Sequence, residues 1–149
     1  MYFNPLIVLI KTSMETNNKT LINFYKNLGK LYYAIASADK KVEDQERNTL
    51  KEIVKKHWLN VDVFKGANQI DAAYQIEIIF DWLNNENKID AKTCFKQFIA
   101  YKDEQKHLFT NKIKRLILKT ASEIAHAFSG INKSELIMLA KLDMALKKP

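Results

Sequence analysis

The chain has 149 residues, 47% of them hydrophobic and 11% aromatic, with 3 Gly, 2 Pro, 1 Cys and a formal net charge of +7. That length and apolar content suit one domain with a packed core and argue against disorder. So few breakers leave little room for the tight turns of a β-sandwich or for phosphate-cradling loops, the lone Cys94 rules out an intramolecular disulfide, and the positive balance favours anionic partners.

The opening MYFNPLIVLIKTS differs from the rest of the chain. Its apolar run Leu6–Ile10 is far too short to cross a bilayer, which takes about 20 residues. No basic leader or small-residue cleavage site accompanies it, so neither a secretory signal nor a transmembrane span is expected. Pro5 bars a helix interior, so residues 1–13 read as a flexible arm or as a strand-like tail packed on the body, within an N-terminal arm of residues 1–17 that precedes the fold. A single domain is expected over 18–146, with a frayed tail at 147–149.

Helical spacing then predicts six helices. The first runs from about Asn18 to Ala38, with Leu21, Tyr25, Leu28, Tyr32 and Ile35 on one stripe. The second, Asp44 to Trp58, turns Leu50, Ile53, Val54 and Trp58 inward. The third, about Ala67 to Asn85, carries Ala72, Ala73, Ile76, Ile79, Phe80 and Leu83. The fourth, Ala91 to His107, presents Phe95, Phe98, Ile99 and Tyr101. The fifth spans Asn111 to Phe128, and the sixth, Lys133 to Leu146, uses Leu136, Leu139, Ala140 and Leu142. No segment alternates like a strand, so the chain reads as all-α.

One junction recurs three times: Val42-Glu43-x-x-Glu46, Ile89-Asp90-x-x-Thr93 and Ile131-Asn132-x-x-Glu135, at spacings of 47 and 42 residues. An aliphatic staple, a capping residue and a polar residue three positions on are what the orphan amides of a helix start require. Asp90 is a good cap, Asn132 with Glu135 forms a plausible capping box, and Glu46 has the same structural explanation. Asp39 does not fit it. With Glu43, Asp44 and Glu46 it makes the densest acidic group in the chain, resembling the second half of a calcium loop. The first half fails, because Ile35 and Ser37 stand where carboxylates belong. A partial oxygen site and a plain capping junction both remain open. The oxygen-only donor set makes calcium the best-matched cation.

AIASADKKVEDQERNTL resembles the signature of the TerB-like (tellurite-resistance protein B) helical family, and LILKTASEIAHAFSGINKSELIMLAKL is similar to that family's second copy. The resemblance implies a compact bundle of six to seven helices with two pseudo-symmetric halves. It also implies an acidic, metal-binding patch carried by Asp39 and Glu46, with Glu135 in the second copy. The family occurs in bacterial stress-response and membrane-associated systems, and no enzymatic activity is established for it. This chain departs from the pattern at Lys40, where the family has a turn Gly, and at Phe128, where an acidic residue belongs.

No zinc-protease, nucleotide-loop or serine-elbow motif occurs, and His57, His107 and His126 are scattered, so an enzyme is not expected. Beside a purely structural interaction domain whose junctions are caps and staples only, two non-enzymatic roles compete. One is a module in the cytoplasm or at the inner membrane surface, binding a divalent cation and a protein partner. The other is an electrostatic adaptor. Lys92, Lys96, Lys102, Lys106, Lys112, Lys114, Arg115 and Lys119 face only Asp103 and Glu104 in the 92–119 window. Lys92 and Lys96 share one helix face, and Lys112, Arg115 and Lys119 another. An acidic protein or anionic membrane surface fits this window better than nucleic acid, because only Tyr101 and Phe109 accompany it and no recognition motif does.

Overall fold

The computed structural model describes residues 5–38, 42–58, 72–86, 88–127 and 133–148, with side chains described from Lys19 onward except at Ala72. Six α-helices and one short 3-10 turn occupy these residues, with no strand among them: α1 (Pro5–Ala36), α2 (Asp44–Trp58), α3 (Ala72–Glu86), α4 (Ala91–Glu104), the 3-10 turn Lys106–Leu108, α5 (Asn111–Ala127) and α6 (Lys133–Lys147). The all-α bundle agrees with the spacing read from the sequence. The main difference is the start of α1, which begins at Pro5 rather than near Asn18. Proline breaks a helix from within, but at the first helical position its missing N–H would have no partner anyway and its fixed φ suits the helix. Asp39, Asn132 and Phe128 lie outside the described residues.

The bundle is built around α1. Leu31, Tyr32, Tyr33, Ala34, Ile35 and Ala36 are all buried in succession. A helix buried at six consecutive positions is covered on every side, because those positions span the whole circumference. α3 and α4 pack on it most extensively, and α5 and α6 add further contacts. α2 packs on α3 and α5, and α6 packs on α5. Phe24, Trp58, Phe98 and Phe109 meet in the core, with Phe24 and Phe109 ring centroids 5.4 Å apart.

Three polar pins set the register. The Trp58 indole N–H points to both Tyr32 Oη (3.1 Å) and Thr120 Oγ1 (3.2 Å), tying α2 to α1 and α5. Glu123 of α5 accepts from Lys56 Nζ at 2.9 Å and lies 3.0 Å from His57 Nε2. Asp81 of α3 faces Lys51 of α2 at 3.1 Å. The Trp58 bonds are buried and favour one arrangement of helices, because any other would strand the same groups away from water, while the two ion-pair pins lie nearer the surface.

Gly29 marks the closest approach of α1 to α3. A Cβ there would collide with Ile79 Cγ2 and would lie 3.1 Å from the Ile76 carbonyl oxygen. In a free helix Gly29→Ala would stabilise by about 0.8–1 kcal/mol. Here it should destabilise by about 1–3 kcal/mol, as overpacking does, and urea denaturation reads the sign directly.

Lys56 first, and then His57, hold the Glu123 carboxyl below its ordinary value of 4.5. A carboxyl depressed on folding stabilises above its unfolded value, and that contribution is lost as pH falls through the folded value. Unfolding curves for Glu123→Gln should therefore lose less stability than wild type between about pH 5 and pH 3.

Candidate functional site

The acidic junction is the first place to look. Glu46 Oε1 accepts a hydrogen bond from the Glu43 backbone N–H at 3.1 Å, the return half of a capping box with Glu46 at the third helical position. Val42 before it is buried, as a hydrophobic staple should be. Glu43 and Asp44 are exposed at the positive end of α2. Among the described residues no three His, Cys, Asp or Glu side chains gather as a metal site would need. Asp39, the residue that resisted a capping explanation, is outside the described residues. Glu135, in the first turn of α6, is fully buried.

The second junction behaves as its pattern predicts. Asp90 caps α4, accepting from the Thr93 N–H at 2.7 Å. That bond to Thr93, helped by Lys92 and Lys96, holds the Asp90 carboxyl below its usual range. Thr110 caps α5 through the Ile113 N–H at 3.2 Å, a cap the sequence reading did not single out.

The basic 92–119 window separates into parts with different work. Lys102 is buried: its Nζ donates to the Ala145 carbonyl at 2.7 Å and pairs with Asp103 at 3.0 Å. A cation on the last-turn carbonyls suits the negative end of α6, so Lys102 is a clasp between α4 and α6. Tyr101 and Phe109, the aromatics of the window, are also buried and pack on each other with centroids 6.2 Å apart. Burial pushes the Tyr101 phenol up to about 12. Neither ring is free to stack on a nucleic-acid base, which removes the aromatic half of a nucleic-acid surface. Lys112, Arg115 and Lys119 are exposed along one face of α5.

Lys92 and Lys96 face elsewhere, into a cleft of about 740 Å3 between α4 and α6. Lys92, Phe95, Lys96 and Ile99 of α4 form one wall, Ser134, Ile137, Met138 and Lys141 of α6 form the other, and Ala38 and Ala91 close one end. The two helices do not pack along their length. They meet at their C-terminal ends, where Lys102 reaches Ala145, and flank the cleft with their N-terminal halves, so they run in the same sense. All three lysines are exposed, while Phe95, Ile99 and Met138 are half-buried. The arrangement is an apolar floor with a cationic rim, and it can hold a partner that is apolar on one side and anionic at its edges.

Phe95 and Ile99 read as inward-facing from the sequence. Phe98 and Tyr101, read the same way, are buried together with Cys94, whereas Phe95 and Ile99 pack against the core only in part and also line the cleft. Likewise Leu136 and Ala140 of α6 are exposed, and Leu142 and Leu146 take the core. Lys141 was missed because it lies outside the basic window. The available signal was positional: 92, 95, 96, 99 and 134, 137, 138, 141 each follow one helical stripe that mixes lysine with apolar residues or serine. Cys94 is a buried core residue with its thiol pushed up by burial. His107 and His126 are exposed. A second apolar stripe, Tyr74, Ile78 and Trp82, is exposed on α3 beside Glu77 and Asp81. No helix among the described residues is long and apolar enough to cross a membrane.

No family model, curated protein or solved structure matches the chain.

Two lysines of the same window should respond very unequally to substitution. Lys102→Ala removes a buried stem and a charge-assisted bond and should lower stability by about 2 kcal/mol. Exposed Lys106→Ala should change it by less than about 0.5 kcal/mol. Paired chemical denaturation curves check the contrast.

Proposed function

We propose that the chain is a non-enzymatic, TerB-like helical interaction module whose working face is the cleft between α4 and α6. It holds partners that combine apolar surface with negative charge. The observation that carries this reading is the convergence of Lys92, Lys96 and Lys141, from two helices, on one apolar cleft. Three like charges around a half-enclosed space raise the local potential and attract anions. The apolar floor then supplies affinity that charge alone lacks, at roughly 25 cal/mol per Å2 of apolar area covered. The net charge of +7 acts in the same direction over longer range. The resemblance carried by the helix junctions would place such a module in a bacterial stress-response or envelope-associated assembly, with a protein as its partner.

An anionic, apolar fluorophore such as anilinonaphthalene sulfonate tests the cleft without knowledge of the partner. Wild type should bind it with an affinity that falls as salt rises. Lys96→Glu/Lys141→Glu should weaken binding about tenfold or more, equivalent to about 1.4 kcal/mol, while Lys112→Glu/Lys119→Glu on α5 should leave it nearly unchanged. Equal binding by both double variants would contradict the proposal. A cooperative melt in each variant keeps the comparison between folded proteins.

A further inference from the structure

We infer that the natural occupant of the cleft is an amphipathic helix with acidic flanks, contributed by a protein partner; the inference rests on the reading of the cleft as a site for anionic, partly apolar partners. The walls themselves point to a helix. The lining positions on α4 are 92, 95, 96 and 99, and on α6 they are 134, 137, 138 and 141. Both sets follow the i, i+3, i+4, i+7 pattern that one helix presents to another. Two such stripes on helices running in the same sense make a ridged trough, into which a third helix packs with its axis about 8–10 Å from each. An acyl chain has no such period and a bilayer surface is flat, so neither matches the ridges.

Length and charge narrow the occupant. From Lys92 to the clasp at Lys102 the trough runs roughly 15 Å at 1.5 Å per residue, room for about ten residues or three helical turns. Lys92 and Lys96 stand four residues apart on one rim and Lys141 stands on the other. Among the described residues none of the three forms an ion pair. A helix with carboxylates along both edges of an apolar stripe meets all of them. α6 also leaves apolar surface outside the bundle: Leu136 is 57%, Ile137 46% and Met144 60% exposed. A helix with apolar residues on several faces is stable when more than one face is covered, and the pliant Met138 in the floor adapts to the shape of an incoming side chain.

Fluorescence polarisation with labelled synthetic peptides tests this. One peptide carries glutamates flanking an apolar stripe at helical spacing, one has the same composition with the stripe scrambled, and one has lysines in place of the glutamates. The acidic helix should bind wild type at least about tenfold more tightly than the other two. The triple variant Lys92→Glu/Lys96→Glu/Lys141→Glu, which alters only exposed side chains, should reverse the preference towards the lysine peptide. Equal binding of the helical and scrambled peptides would overturn the inference. Lysine-dependent binding of dodecyl phosphate, or of anionic phospholipid vesicles, with no helix bound would also overturn it while leaving the anionic cleft intact. Silence with every anionic probe would remove both.

Discussion

The burial of α1 on every side is the constraint that dictates the rest of the architecture. Leu31 to Ala36 offer no polar face, so the remaining helices must wrap them. α3 approaches closely enough that Gly29 has no room for a Cβ, and α4 takes a second broad contact. α5 covers another side and carries Thr120 to the polar pin on Trp58. Once these positions are taken, α6 has limited access to α1. It leans on α5 and is tied to α4 by the Lys102 clasp. The cleft is the space left by that arrangement.

The electrostatics of the molecule divide along the same lines. Some charged groups serve the fold: Lys102 on the end of α6, Asp90 and Glu46 at helix starts, and Glu123 between Lys56 and His57. Others form no ion pair among the described residues, and three of these lysines surround the cleft. A lysine suffers no desolvation while it stays in water, and under the proposed function the rim lysines meet the negative charge of the incoming partner. The α3 stripe of Tyr74, Ile78 and Trp82 has aromatic surface with acidic neighbours and so would suit a different kind of contact. The α5 face of Lys112, Arg115 and Lys119 has the charge but is not part of the α4–α6 cleft.

Most of the helices were legible in the sequence because their apolar stripes are long and periodic. α2 was read to the residue, since Asp44 opens it beside a capping box and Trp58 closes its stripe. The Asp90 cap was equally plain, because an N-cap depends on chemistry local to a few residues. Pro5 misled because the same residue that breaks a helix interior starts one readily. Within α4 and α6 the difficulty was physical. Phe95, Ile99 and Leu136 carry the same hydrophobic signal as core residues, and only the packing of other helices decides which apolar positions are covered. The lysines were visible as a charge excess, yet their division into clasp, rim and solvated face depends on where α6 lies. Lys141 could not be joined to Lys92 and Lys96 without that tertiary information.

The central claim is that the α4–α6 cleft is the working face of the molecule. Backbone amide shifts recorded by NMR during a dodecyl phosphate titration address it most directly. The account predicts that the largest changes fall in 91–99 and 133–141, the halves of α4 and α6 that face each other. Changes concentrated instead along Tyr74–Trp82 of α3 or Lys112–Lys119 of α5 would contradict it.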